Sequence, residues 1–488
     1  MSSMGVQVTE RTADVPHLKR VLSAWDLVLY GIVAVTPCAP ATVYGLAERM
    51  TYGHSIVAIL ASMLAMVLTA VSYGRMAALY PSAGSVYTYA GRGLHPYVGF
   101  ASGWAMLLEY GVNPLFSVMY ATLAIREAAP HFPFVVSAAV LAGGITVLNL
   151  RGVRYTARAN EVLTFFMFLV LIAYVVLAVR FVWLHQGPTH LFSVQPFYSP
   201  GTLHWGAMAR GTSFAALTYL GFDAVTTLAE DVKNPKRNVM LSAVVVVVFT
   251  GVFGGLLVYL AQIVWPDYTS FQNIETAFVE VTRRIGGPVL FESTAALIVI
   301  ANIGGAITTQ VAAARLLFGM GRDNVIPRRF FGYLSPRTNA PSRNILLIGI
   351  VAFVGSLFMN YEITAEILNF GAFLVFMGVN LSVFWQFWVR SVEGHRREFF
   401  WDLLLPGLGF VFCTIIWVGL GGPAMIAGGI WFAVGIVVLA VHTSGFRKAL
   451  ELPDRGELVT VPAVASRESI SPAVTESGDS EPGPDERA

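Results

Sequence analysis

Apolar stretches close to the roughly 20 residues needed to cross the hydrocarbon core of a bilayer recur along the whole chain, among them Ile56–Val71, Leu163–Val179, Leu241–Ile263 and Ile426–Val441. The runs are continuous and lack the alternation of barrel strands, so spanning helices are predicted. Composition sharpens this: 12% of the 488 residues are charged and 56% hydrophobic, with a mean hydropathy of +0.65, whereas a soluble chain is about 25% charged. These values exclude a water-soluble fold, and a net charge of +2 gives no case for nucleic acid. Cys38 and Cys413, both in apolar runs, support neither a disulfide framework nor a zinc site, and the nine histidines lack ligand spacing. Residues 1–22 have no short apolar core with a cleavage site, so the first spanning helix is itself the insertion signal.

Spans are expected near 24–47, 53–75, 98–126, 133–150, 158–182, 206–229, 239–264, 288–318, 344–360, 364–389, 402–420 and 424–442. Lys and Arg are retained on the cytoplasmic side of a membrane. With the N-terminus inside, the inner segments hold Lys19/Arg20, Arg75/Arg92, Arg151/Arg154/Arg158, Lys233/Lys236/Arg237, Arg322/Arg328/Arg329/Arg337/Arg343 and Arg390/Arg396/Arg397, against chiefly Arg49, Arg126 and Arg283/Arg284 outside. Both termini are thus expected in the cytoplasm of a multi-pass protein of the cell membrane. The tail 446–488, rich in Ser, Pro, Glu and Asp, is expected to be disordered.

Two spans depart from a plain helix. Span one reads GIVAVTPCAPATVYG from Gly31 to Gly45, which sets Pro37 and Pro40 at mid-membrane, where each removes a backbone donor and clashes with the preceding turn. Broken backbone at that depth survives where it faces protein or a water-filled cavity; the alternative is a proline kink in a packed helix. Span six contains TYLGFDAVTT, with Gly221 and an ionisable Asp223 in its middle. An acid there costs a few kcal/mol on insertion scales and faces a cavity or a partner. Spans one and six lie five helices apart, the spacing of paired interruptions in inverted repeats.

The stretches SYGRMAALYPSAGSVYTYAGRGLHPYVGFASGW (Ser72–Trp104), GFDAVTTLAEDVKNPKRN (Gly221–Asn238) and RLLFGMGRDNVIP (Arg315–Pro327) together resemble the amino acid–polyamine–organocation transporter superfamily over about residues 20–445. TPCAPATVYG, GFDAVTT, GRDNVIP and LNFGAF (Leu368–Phe373) are most similar to its bacterial putrescine importers. The resemblance implies an all-α, leucine-transporter-like fold of about 12 helices in a 5+5 inverted repeat, working by alternating access about a site between helices one, three, six, eight and ten. On that reading residues 1–22 form a cytoplasmic segment and 23–445 the transporter domain. The repeats run over about 23–182 and 206–389, and helices within 402–442 are additional.

Most amino acid carriers of this kind unwind helix one at a Gly-x-Gly whose bare amides bind the substrate carboxylate. Here the segment reads Thr36-Pro37-Cys38-Ala39-Pro40, and two prolines supply no N–H. Glu109, within LLEYGVNP of span three, places a carboxylate near the surface lining the implied site. A buried ammonium needs a paired anion, and Glu109 and Asp223 are candidates to meet the two ends of a diamine. The expected substrate-binding set is Thr36, Cys38, Ala39, Glu109, Tyr110, Phe214, Thr218, Gly221 and Asp223. Tyr110, Phe214, Tyr219 and Phe222 are the nearest aromatic rings by sequence, and Phe214 is preferred for cation–π contact. Plain packing is the alternative for the rings, a proton site or a buried polar partner for Glu109, and a structural or gating acid for Asp223.

No cofactor is expected, only an ion gradient. Some proton-coupled relatives carry a lysine in helix five where this chain has Met167. Sodium coupling uses hydroxyls on helix eight, where Ala312, Ala313 and Ala314 offer none and Thr308 and Thr309 remain. A proton is therefore favoured over sodium, with Glu109, Asp223 and Glu161 as coupling or gating candidates. A membrane enzyme would need a nucleophile–base or metal constellation, and no HExxH, GxSxG or phosphate-cradling loop occurs. The functional expectation is a secondary importer of a putrescine-like amine. Alternatives are a neutral or basic amino acid permease or exchanger, and a non-transporting membrane receptor. If the missing amides in span one select against carboxylates, putrescine should compete for uptake far better than ornithine; equal competition in an uptake assay would contradict this.

Overall fold

The computed structural model describes residues 22–447 apart from 81–84, 152–155, 230–231, 323, 337, 339 and 391–395, with the side chains of 85 and 156–163 also outside that description. Almost all of the N-terminal segment and tail assigned from sequence, parts of the three resemblance stretches and the side chain of Glu161 lie outside the described residues. Among the described residues the chain is helical, with one isolated parallel bridge between Leu22 and Val232.

The first break falls where the prolines demand it. Helix α1 (Ala24–Val35) opens on a capping box in which Ser23 Oγ accepts from Asp26 N and Asp26 Oδ2 accepts from Ser23 N at 2.8 Å. It ends at Thr36, whose φ of +66° takes a β-branched residue out of the helical region. Helix α2 (Ala39–Thr51) restarts with Pro40 in its first turn, where a missing N–H costs nothing, and the two arms meet at a 48° bend. Span six breaks as well: α8 (Trp205–Ala215) tightens into a 3-10 turn over Ala216–Tyr219, passes an extended Leu220 and Gly221 at φ +101°, and continues as a 3-10 helix over Phe222–Leu228.

The remaining long helices are α3 (Ser55–Leu79), α5 (Pro96–Ala128) after the short α4 (Ser85–Gly93), α6 (Phe134–Arg151), α7 (Thr156–His185) and α9 (Pro235–Val264). They are followed by α10 (Ala277–Arg322), the one-turn α11 (Arg328–Phe331), α12 (Ser342–Phe358), α13 (Tyr361–Val383), α14 (Leu405–Val418) and α15 (Gly422–His442). Helix α10 is bent at Gly287 (φ +65°) before Pro288, which is where the sequence starts span eight. By length and apolar character eight of the described helices can cross a membrane, nine counting α1 with α2 as one bent span. Of the twelve expected spans, three fall outside that criterion. Helix α5 carries Glu109, Asn113 and Arg126, span six is cut into short pieces, and α12 has 17 residues.

Helix α3 packs along α9, and α5 lies between α10 and α13, so the two broken spans sit inside this frame. Helices α14 and α15 lean on α13 from outside. Trp104 of α5 and Trp431 of α15 stack at 4.9 Å and exchange hydrogen bonds, each indole N–H donating to the other's carbonyl at 2.8 and 3.0 Å. At the expected cytoplasmic end, Arg75 of α3 donates to the buried Asp402 at 2.5 Å and lies over the Phe387 ring. Asp402 also accepts from the Glu398 amide at 2.7 Å.

Gly221 is the residue the break depends on. Its φ is one that side chains rarely adopt, and a Cβ there would stand 2.8 Å from the Ala34 carbonyl oxygen. Gly221→Ala is therefore expected to lower the thermal midpoint of the detergent-purified protein, with a strain of about 1–3 kcal/mol before the clash is counted. Gly143→Ala, with nothing within 4 Å of the added methyl, is the control expected to leave it unchanged. Equal behaviour of the two variants would mean that the backbone at 221 is not constrained.

Candidate functional site

The two broken segments meet. The Gly221 backbone rests on the end of α1 at Ala34 and Val35. Span six is tied to the frame by backbone-directed bonds from side chains: Tyr219 Oη donates to Ile59 O at 2.8 Å, Ser62 Oγ to Thr212 O at 3.0 Å, and Asn369 Nδ2 to Ser213 O at 2.7 Å. Side chains of α3 and α13 thus bind carbonyls near the end of the shortened helix, where Thr212 O also accepts from the Ala216 amide. Around the break in span one three amides are spent internally, and the Cys38 amide has no backbone acceptor among the described residues. Thr36 N donates to Ile32 O and Val33 O, Ala39 N to Thr36 O at 2.9 Å and Ala41 N to Cys38 O at 3.0 Å.

Beside this junction stand two acids. Glu109 on α5 and Asp223 on the 3-10 segment are 8% and 7% exposed, and Glu109 lies within the field of the Asp223 carboxylate. Helix α13 backs Glu109 through Gly371, where a Cβ would come within 2.7 Å of Ala105 O and 3.3 Å of Glu109 N. Tyr73 of α3 and Tyr110 of α5 both lie in the field of both acids, and Tyr30 of α1 in that of Asp223. Tyr73 meets Phe222 edge-on at 5.5 Å and Phe376 at 6.0 Å, and Phe222 lies 5.3 Å from Phe376, so three rings wall one side. Among the described residues no lysine or arginine pairs with either acid.

The residues expected from sequence are distributed as follows. Thr36, Cys38 and Ala39 form the break in span one, and Cys38 is a buried free thiol. Glu109, Tyr110, Gly221 and Asp223 come together. Thr218 is fully buried in the 3-10 turn with no hydrogen-bond partner for its hydroxyl. Phe214 is placed apart from the acids: it meets Tyr361 edge-on at 6.2 Å within a cluster completed by Phe116 and Tyr120, on the expected outer side. Tyr361 Oη there donates to Thr42 O at 2.5 Å, and above it Glu362 accepts from Arg49 at 3.4 Å and Arg210 at 2.9 Å. Tyr30, Tyr73 and Phe376 did not stand out in the sequence. Tyr73 lies inside a resemblance stretch read for topology, and Phe376 is one aromatic in an unbroken apolar helix. Thr309 of α10 turns its hydroxyl to Asn113 of α5 at 3.1 Å, and Thr308 bonds its own helix at Gly304 O.

A polytopic helical protein with two helices broken against each other around buried acids has the construction of a transporter for a small solute. The amino acid permease family profile matches residues 27–447, and the chain belongs to that family of membrane transporters. The low-affinity putrescine importer PlaP of Escherichia coli K12 is 31% identical over 451 residues, covering 91% of this chain and 98% of that protein. The methylthioribose transporter of Bacillus subtilis is 27% identical over 460 residues, 87% of this chain and 94% of the relative. The branched-chain amino acid permease BcaP of Lactococcus lactis is 24% identical over 474 residues, 90% and 97% of the two chains.

The Tyr73 hydroxyl is buried without a partner and faces the acids. Tyr73→Phe is expected to leave thermal stability unchanged or raised, because it removes an unsatisfied group. Affinity for a cationic solute should fall about tenfold, the worth of one hydrogen bond within a charged cluster. Unchanged binding in a calorimetric or scintillation-proximity titration would assign Tyr73 to packing alone.

Proposed function

We propose that this protein is a secondary transporter that imports a small organic amine, of the putrescine type, across the cytoplasmic membrane by alternating access. The observation that carries the reading is the Glu109–Asp223 pair, two buried carboxylates with no basic side chain paired to them among the described residues. Two anions held together in low dielectric repel and are desolvated, and an ammonium guest relieves both costs. The aromatic wall of Tyr73, Phe222 and Phe376 adds ring faces for an alkyl ammonium. The similarity to the putrescine importer agrees in chemistry.

The finer architecture in this reading is twelve spans, with the first ten as two inverted repeats of five over about 23–182 and 206–389. Both termini are cytoplasmic, as the excess of basic residues on one side requires. The Tyr361 and Phe214 cluster under the Glu362 ion pairs is then the closed outer side. The driving ion in this reading is a proton rather than sodium, supported by the titratable carboxylates of the site and by Ala312, Ala313 and Ala314, which offer sodium no hydroxyl.

A second reading, an amino acid permease or exchanger, is favoured by the similarity to the branched-chain permease. Against it stands the junction in span one, where Pro37 and Pro40 have no N–H and Thr36, Ala39 and Ala41 spend theirs internally. Concentrative uptake into proteoliposomes separates either reading from a receptor that binds without transport.

Glu109→Gln keeps the size and hydrogen-bonding capacity of the side chain and removes its charge. Loss of one partner from a buried ion pair costs about 3–5 kcal/mol. Putrescine affinity should therefore fall at least about tenfold, with little effect on folding. Retained affinity together with retained accumulation, in protein shown to be inserted, would make Glu109 structural and remove the main support for an amine substrate.

A further inference from the structure

A further buried acid in the membrane-spanning part of the molecule takes no part in the site above. Glu48 sits on α2, the arm of span one beyond the break, and is fully buried. Ser55, at the start of α3, donates to Glu48 Oε1 at 2.5 Å, and Glu48 Oε2 has no partner. Two further unpartnered polar atoms belong to the same neighbourhood. The Tyr44 hydroxyl lies one turn earlier on α2, in the field of Glu48, and is fully buried without a partner. Gln262 of α9 is 6% exposed and donates to Gly53 O, while Gly53 N donates to Glu48 O at 2.9 Å. The Gln262 carbonyl oxygen is left unpaired.

Of these three oxygen atoms Glu48 Oε2 and the Gln262 carbonyl oxygen can only accept, and the Tyr44 hydroxyl is the one donor among them. A proton on the carboxyl adds a second donor and removes the buried charge. The other ionisable groups around α2 do not neutralise Glu48. Tyr174 of α7 donates to Leu257 O, His54 is engaged by Pro196 O and Thr202 Oγ1, and Tyr268 stands in the loop after α9. Arg49 is turned to Glu362, with Glu275 in its field. Glu48 is placed to report the state of the broken span because α2 is the arm that closes the expected outer side: its Thr42 carbonyl takes the Tyr361 hydroxyl, and Gly254 of α9 packs directly on its Pro40.

We propose that Glu48 carries the coupling proton of this transporter, held between Ser55, Tyr44 and Gln262 when the outer side is closed and released when α2 opens. The proposal rests on the transport reading above but not on the identity of the substrate. It places coupling outside the substrate-binding acids.

The test uses purified full-length protein in proteoliposomes loaded with a pH-sensitive dye, with putrescine as the carried solute, and isoleucine should putrescine not be carried. In wild type, substrate entry is expected to acidify the lumen, and an inward proton gradient to drive accumulation. Glu48→Gln should lose acidification and accumulation and keep wild-type counterflow of labelled against unlabelled substrate. Ser55→Ala, which leaves the acid and removes its hydrogen bond, should shift the pH dependence of accumulation to the alkaline side with counterflow intact. Wild-type accumulation in Glu48→Gln, loss of counterflow together with accumulation, an unmoved profile in Ser55→Ala, or no acidification in wild type would each overturn the proposal. Failure of putrescine to bind, with isoleucine-driven acidification present and lost in Glu48→Gln, would instead sink only the amine reading.

Discussion

Backbone groups within a bilayer must find their hydrogen bonds inside the protein, and this constraint organises the molecule. Spans one and six abandon the helical ladder at mid-membrane, at Thr36–Cys38 and at Leu220–Gly221. Each break leaves carbonyls and amides that hydrocarbon cannot satisfy. They are tolerable because the breaks adjoin each other and because side chains bind span six to its neighbours, Ser62 and Asn369 reaching the Thr212 and Ser213 carbonyls and Tyr219 reaching Ile59 O. The long helices, α3 packed with α9 and α5 with α10 and α13, form the surround in which such irregular backbone is sheltered.

That arrangement also determines where charge can sit. Glu109 and Asp223 flank the junction, and a carboxylate on a lipid-facing helix would have no comparable shelter. The same low dielectric that makes two adjacent anions costly makes a cationic guest favourable, so binding draws on a cost already present in the empty site. Glu48 obeys the same rule on the far side of the break but has different surroundings. Ser55 donates to it, and the Tyr44 ring beside it is packed edge-on by Phe271 and Phe278. In the proposed coupling α2 carries an acid of its own and abuts the break beside which the acids of α5 and the 3-10 segment stand, which gives it a mechanical role in joining them.

The ends of the molecule are fastened differently. On the expected outer side, Arg49 and Arg210 share Glu362 in pairs that are half exposed, an arrangement of modest strength that can be broken. On the expected inner side, Arg75 and Asp402 are deeply placed and reinforced by Phe387 and by the Glu398 amide, joining α3 to the chain entering α14. Removing one partner of such a buried pair strands the other. The first is suited to opening and the second to permanence.

The sequence by itself determined the membrane class, the helical architecture, the position of both breaks and the family, because these rest on local properties: apolar length, proline's missing N–H, glycine's access to positive φ, and contiguous motifs. It also singled out Glu109 and Asp223, since an ionisable residue in an apolar run is conspicuous wherever it points. What it could not supply was neighbourhood. Phe214, adjacent to the break in sequence, packs with Tyr361, while Tyr73 and Phe376, from spans two and ten, supply the rings beside the acids. Glu48 passed unremarked because it falls just beyond span one as assigned from sequence, 24–47, where an acid is expected to meet water. Only the packing of α3 and α9 over it reveals that the end is buried. Aromatic residues and span-end acids carry no local mark of their partners, so their roles were decided by tertiary contacts between segments far apart in the chain.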